Sequence, residues 1–301
     1  MNYRDFINYV QKTVERKLAG ESVTVELRKT IKTGDLEHDG LVLQREGGNP
    51  SPVLYMDQLY ELYNNNNITP EEIAERITEA YHNSLNCPVP TAMEMEIWEN
   101  VRDKVTFSVM NTRLNSKYLE DAVFDEYLDL ALVYFVSIID ENNELYRSKV
   151  QESFLKEWGI DKSQLKELAM QNTKRIFGIR LQDIHEVILE AAGIRDSDAA
   201  GSIFENDNSQ MYLLTNKSGL YGASNMFMED VMECMAEHFE NDLYIIPSSV
   251  HEVMIIPAAG MYTKDDINKM IRDVNMRVLK PEDILSDHVY VYSREQKRIL
   301  I

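Results

Sequence analysis

Ten consecutive residues in the middle of the chain, Leu130-Ala-Leu-Val-Tyr-Phe-Val-Ser-Ile-Ile139, carry no charge and only two side-chain hydroxyls. The run is half as long as a membrane-spanning helix, which needs about 20 residues. It is rich in β-branched and aromatic side chains, so it reads as a strand buried on both faces. The rest of the chain has to cover such a strand, and 44% hydrophobic residues give it the apolar material to do so.

The flanking patterns switch between periods of about 3.6 and 2. Phe6, Ile7, Val10, Val14 and Leu18 repeat as an amphipathic helix closed by Gly20; Val23, Val25 and Leu27 then alternate with polar residues, and after a turn-rich stretch Leu41-Val-Leu43 completes an antiparallel hairpin. A helix from Val53 to Tyr63 follows. Thr69-Pro70-Glu71-Glu72 opens another, with Thr69 as cap and the acids on the positive end of the dipole. Cys87-Pro88-Val89-Pro90 breaks helix on both sides and marks a boundary between an α-β-β-α-α subdomain, residues 1–86, and a larger domain, residues 91–301.

In the larger domain we expect helices at 93–105, 154–158, 163–177, 225–240 and 263–278, and strands at 130–139, 211–215, 243–247, 252–257 and 288–293. Adjacent strands are linked as hairpins. The fold class is therefore α+β: a mixed, largely antiparallel sheet with flanking helices, preceded by a small helix-hairpin-helix subdomain.

Charge narrows the function. With 51 acids against 31 bases the formal net charge is -20, but it is uneven: residues 51–100 carry nine acids and one base, residues 201–240 seven acids and one base, while residues 1–50 balance. Glu71, Glu75 and Glu79 recur every four residues on one helix; Glu229, Glu233, Glu237 and Glu240 do nearly the same on another. Such a face either keeps the protein soluble or docks a partner with a basic surface. Direct nucleic-acid binding is not expected, because phosphate recognition draws on clustered Lys and Arg. No run is apolar enough for a membrane span, and the N-terminus lacks the basic and apolar regions of a signal peptide, so we expect a cytoplasmic protein.

Nucleotide cradles, the nucleophile elbow and the zincin motif are absent, and the six histidines and two cysteines show no metal-ligand spacing, so no cofactor or metal is expected. Cys234 falls in an apolar helical pattern and is expected to act as a small hydrophobe. Two places remain. Pro247-Ser248-Ser249-Val250-His251-Glu252 combines hydroxyls, an imidazole and a carboxylate: Ser249 as nucleophile and His251 as base is one reading, a hairpin turn with self-bonded serines the other. The loop Asn216 to Ser224, with Lys217, Ser218, Gly219 and Gly222, suits a small anion at a helix start, or is a connection capped by Ser224.

At Asn216-Lys217-Ser218, Tyr221-Gly222-Ala223 and Pro247-Ser-Ser-Val-His-Glu-Val253, and again at Trp158-Gly159-Ile160 and Ala169-Met-Gln-Asn-Thr173, the chain resembles a bacterial family known as domain of unknown function 5688, found largely in gut Clostridia. The resemblance implies a bacterial cytosolic protein and no particular reaction. The leading expectation is a non-enzymatic acidic interaction or regulatory protein; the alternative is a hydrolase or small-anion-binding enzyme using the Ser248–Glu252 turn and the Lys217–Ser224 loop.

Overall fold

A computed structural model describes residues 1–45, 53–65, 68–84, 92–140, 142–193, 210–259 and 262–301. The Cys87–Pro90 boundary segment lies outside the described residues. The chain divides into two compact units, one of Met1–Lys104, Val136–Ser148 and Ser153–Gly159, the other of Val105–Phe135, Lys149–Glu152 and Ile160–Ile301.

In the first unit, α1 (Tyr3–Lys17) is followed by the hairpin β1 (Val23–Ile31) and β2 (Glu37–Arg45), a two-residue β3 (Leu54–Tyr55), α2 (Met56–Asn65) and α3 (Pro70–Ser84). Phe6, Val10 and Val14 of α1 meet Leu41 and Leu43 of β2 and Ile73 and Ile77 of α3 in one core. The spacing that predicted α1 is thus the face it buries. α3 starts as its sequence dictates: the Thr69 hydroxyl accepts the Glu72 amide at 3.2 Å and the Glu72 carboxylate accepts the Thr69 amide at 2.7 Å, a reciprocal capping box. Short helices α4 (Ala92–Met95) and α5 (Trp98–Val101) replace the single helix expected at 93–105.

The strand β4 (Val105–Asn111) starts where that helix was expected to end, and all seven of its residues are buried. It shares a sheet with β5 (Phe124–Tyr127), β6 (Leu130–Ile139) and β7 (Leu145–Lys149), in which β6 lies between β4 and β5 and also pairs β7. The opening feature of the sequence is β6, and its first eight residues are buried. Helices α6 (Glu152–Trp158) and α7 (Lys162–Phe177) follow, the second held by an Asp161–Gln164 capping box. Next come β8 (Arg180–Asp183), α8 (Ile184–Ala191), β9 (Tyr212–Thr215), a 3-10 turn (Gly222–Phe227), α9 (Glu229–Phe239), β10 (Leu243–Pro247), β11 (Val253–Pro257), α10 (Lys264–Arg277), β12 (Tyr290–Ser293) and β13 (Arg298–Leu300).

Six of these strands form an antiparallel sheet in the order β13-β12-β10-β11-β9-β8. Its strands alternate side chains between two cores. Leu243, Ile245, Val253 and Ile255 face the cluster containing Met232, Met235 and Ala236 of α9, whereas Ile246 and Ile256 face Ile267 and Ile271 of α10. The α+β class is as expected. The 225–240 helix is not continuous, however: α9 begins at Glu229 after the 3-10 turn, and Cys234 is exposed on its outer side instead of packing inward. Met232, Met235 and Ala236 supply the buried stripe, which puts residue 234 out of phase with it.

Candidate functional site

Residues 248–252 form the connection between β10 and β11, with Pro247 paired to Val253. The turn closes on itself. The Ser249 amide donates to the Glu252 carbonyl at 3.1 Å, the His251 amide donates to the Ser249 hydroxyl oxygen at 3.0 Å, and the Ser248 hydroxyl reaches the Glu252 carboxylate at 3.5 Å. Ser249 is buried.

The His251 ring is held at both nitrogens. The Tyr221 amide donates to Nδ1 at 3.1 Å, and an amide can only donate, so Nδ1 carries no proton; Nε2 bears it and points at the Asp283 carboxylate 3.2 Å away. The Tyr221 ring lies against the imidazole, centroids 5.4 Å apart. Asp283 also holds the turn through its carbonyl, which accepts the Val250 amide at 2.9 Å. A general base needs a free lone pair within reach of the hydroxyl it activates. Here Nδ1 is taken by backbone, and Ser249 bonds the His251 main chain instead of its ring. The structure brings Ser249, His251 and Glu252 together as a fastened turn, with His251 as the bolt to the neighbouring loop.

That loop is fastened in the same way. Asn216 Oδ1 accepts both the Ser218 amide, at 3.0 Å, and the Ser218 hydroxyl, at 2.8 Å; the Asn216 side-chain amide donates to the Leu220 carbonyl at 2.8 Å. The Gly219 amide bonds the Asn216 carbonyl at 3.3 Å and the Leu220 amide the Ser218 hydroxyl at 3.2 Å. Amides at 218–221 that would cradle an anion are therefore spent within the loop and on His251. Lys217 lays its aliphatic stem over Gly178. Ser224 does not cap α9; it is buried, and its hydroxyl donates to the Tyr221 carbonyl at 2.9 Å.

Three buried residues fix the loop, two of them against the turn. Thr215 donates its hydroxyl to the His251 carbonyl at 2.9 Å. Asn225, 1% exposed, donates to the carbonyls of Thr215 at 2.7 Å and Gly178 at 3.2 Å, while its Oδ1 is buried with no hydrogen-bond partner. At Gly222 the loop passes close to the turn: an added methyl would stand 2.7 Å from the His251 carbonyl oxygen. Tyr221 adopts the left-handed region at φ 58°, a conformation costly for a bulky residue and held here by its amide bond to His251. Replacing His251 by Ala strands the Tyr221 amide and the Asp283 carboxylate together, so we expect a loss of about 2–3 kcal/mol. Ser249→Ala removes one local bond and is expected to cost about 1 kcal/mol. Urea unfolding of the two variants checks the ranking, and a larger cost for Ser249→Ala would contradict it.

A second polar cluster lies in the same unit, at positions that no sequence motif marks. Tyr290 donates its hydroxyl to Asp129 Oδ1 at 2.9 Å, Asn111 donates to Asp129 Oδ2 at 3.1 Å, and His288 Nδ1 lies 3.1 Å from both the Ser286 hydroxyl and the Asp287 carboxylate. The bond from His288 holds the Asp287 carboxyl below the usual carboxylate range. Burial, then the Asp129 charge and hydrogen bond, push the Tyr290 hydroxyl well above its ordinary value, against an opposing bond from Ser286. Tyr290 and Ser286 are fully buried, so the cluster ties the β5–β6 turn to β12. No local signal announces it, since its central carboxylate is 161 residues from Tyr290.

In the first unit, Glu71 takes the Tyr9 hydroxyl at 3.0 Å and the Arg16 and Lys17 side chains at 3.6 and 3.5 Å, and Glu75 takes Lys17 at 3.1 Å. Two of the three acids proposed for a partner thus face α1 of their own unit; Glu79 is exposed. Among the described residues, no cluster of three or more His, Cys, Asp or Glu has a metal-binding arrangement, and no helix is long and apolar enough to cross a membrane. Residues 3–294 match the model of a family of unknown function, DUF5688. No curated protein and no solved structure matches the chain.

Proposed function

We propose, for a chain that belongs to the DUF5688 family and takes no reaction from it, the role of a non-enzymatic, cytosolic interaction protein whose α9 presents a docking face to a basic protein surface. One observation carries the reading: residues 229–240 hold five acids and no Lys or Arg, and Glu229, Glu237 and Glu240 are exposed. The row already takes cations. Lys297 enters it at Glu233, which holds the ammonium above its usual range, and Lys174 meets Asp230 at 2.5 Å. Its carboxylates also act on one spot. The Tyr292 hydroxyl is pushed up first by burial and then by Glu233, with Glu229 and Glu237 adding to it against the opposing Lys297. The fastened turn and loop support this reading as a rigid scaffold and leave its serines and histidine to positioning.

The probe is a fluorescent ten-residue oligolysine peptide. It is expected to bind the wild-type chain at low salt, to weaken several-fold in Glu229→Gln/Glu237→Gln, and to leave as salt shortens the screening length to about 8 Å near 0.15 M. Equal binding by wild type and variant, at equal unfolding temperatures, contradicts the proposal.

A further inference from the structure

The three-stranded sheet of the first unit ends in a long edge. β1 runs nine residues, Val23–Ile31, and pairs β2; among the described residues no strand pairs its other side. Edges in natural sheets are kept short or broken, because an open row of amides and carbonyls recruits another strand. The register fixes which groups form that row. Lys32 bonds the Leu36 carbonyl at 2.9 Å just beyond the Ile31–Glu37 pair, so Thr30, Arg28, Glu26 and Thr24 turn their main-chain groups toward β2. The odd-numbered residues turn theirs outward. The Val25 carbonyl accordingly takes a long 3.4 Å bond from the Gln11 side chain, and the Val23 amide folds back onto the Glu21 carbonyl. At Leu27, Lys29 and Ile31 no described strand takes the outward groups. Leu27 and Ile31 are 38% and 39% exposed, although Val25 on the same face is buried.

The residues of β1 complement β1 itself. Laid antiparallel on a second copy with Leu27 opposite Leu27, the strand overlaps over its full nine residues, and Glu26 of each copy stands opposite Arg28 of the other. The neighbouring registers are repulsive: Val25 opposite Leu27 sets Glu26 against Glu26, and Leu27 opposite Lys29 sets Arg28 against Arg28. Within one strand Arg28 bonds Glu26 at 2.6 Å, so both charged heads stand side by side on the solvent face, each about half exposed. Lys29, on the other face, is neutralised by Asp39 at 2.7 Å. We infer that β1 is a self-recognition edge, through which two copies pair β1 to β1 about a two-fold axis at Leu27 and join their three-stranded sheets into one. Each Leu27 amide then donates to the Leu27 carbonyl of the other copy, and the Lys29 amide replaces Gln11 at the Val25 carbonyl. Two Glu and two Arg alternate across the axis. The contact is isologous and closes at two chains. It uses the first unit alone and is independent of α9 as a docking face.

Exchanges of exposed charge test this in the full chain. Sedimentation of wild type should show the average mass climbing with concentration from one chain toward two and stopping there. Glu26→Arg sets two Arg–Arg pairs across the axis and Arg28→Glu two Glu–Glu pairs, so each variant alone should dimerise about tenfold more weakly or worse. Mixed in equal amounts, the two should associate as wild type does, because each Arg again meets a Glu. The register has its own readout. In a Cys87→Ser/Cys234→Ser background, Thr24→Cys in one copy faces Thr30→Cys in the other, in a non-hydrogen-bonded pair with Cα atoms about 4.5 Å apart, close enough for a disulfide. Mild oxidation should cross-link the mixture into a dimer and leave each thiol variant by itself monomeric. A wild type that is monomeric at every concentration, or a mass that climbs past two chains, overturns the inference. Single charge variants that associate like wild type at equal unfolding temperatures overturn it too, as does a charge mixture that fails to re-associate or a thiol mixture that fails to cross-link.

Discussion

Replacing Gly222 by Ala is expected to destabilise the second unit by about 3 kcal/mol or more, at the upper end of what overpacking costs. A methyl group there would stand 2.4 Å from the Thr215 hydroxyl, 2.7 Å from the Asn216 backbone nitrogen and 2.7 Å from the His251 carbonyl oxygen. Two of those three are main-chain atoms, and each is pinned: the His251 carbonyl accepts the Thr215 hydroxyl, and the Asn216 side chain is bonded across its own loop. Nothing at the site is a flexible side-chain end that can swing away. Gly219 gives the contrast. It has φ 70° and nothing within 4 Å of an added methyl, so Gly219→Ala pays only for the left-handed backbone, about 1–2 kcal/mol. Urea denaturation of the two variants measures the difference. A smaller cost at Gly222 than at Gly219 would mean that loop and turn are not held together as described.

The same residues show what the sequence can and cannot announce. Features governed by neighbours in the chain were legible. The apolar run at 130–139 became β6, the Thr69–Glu72 box opened α3, and Thr263 caps α10 by accepting the Asp266 amide at 3.2 Å. The β10–β11 hairpin forms from the two short strands expected there, with Leu243 opposite Pro257 and Pro247 opposite Val253. What depended on distant partners was not legible. Around the serines and histidine at 248–252, the groups that occupy the His251 ring, Tyr221 and Asp283, lie 30 and 32 residues away and leave no sign in the segment itself. Glu71 and Glu75 share a helix face as their spacing implies, but their ion pairs to Lys17, more than 50 residues earlier, leave no sign in the sequence. Short strands such as β8 and β13 carry too few residues for a period to show. Cys234 was misplaced because a thiol scores as apolar whichever side of the helix it occupies.

Alkaline conditions are expected to unfold the second unit sharply, with the two most strongly raised of its buried tyrosines, Tyr134 and Tyr290, carrying a slope to which Tyr292 adds. Tyr134, on the both-faces-buried strand, donates its hydroxyl to Asp125; burial first, then that bond and charge, raise it far above the ordinary tyrosine value. Tyr290, against Asp129, is raised likewise, chiefly by burial. A group whose folded pKa is raised contributes stability that is complete below the unfolded pKa, here about 10, and that drains away as pH climbs from there toward the folded value. Above pH ~11 the unfolded chain has released both protons while the folded chain keeps them, so the pair lowers stability by about 2.7 kcal/mol per pH unit. Tyr134→Phe should remove about half of that slope, since phenylalanine has no proton to lose. At neutral pH the same variant should cost only about 1–2 kcal/mol, because Asp125 retains Lys162 at 3.1 Å. Unfolding free energies of wild type, Tyr134→Phe and Tyr290→Phe between pH 8 and about 11.5 test this. Parallel curves for all three would show that neither hydroxyl is held protonated by the fold. A wild-type curve that steepens past pH ~10 while each variant stays flatter would place the proton on the buried carboxylate bonds that tie β6 and β12 into the unit.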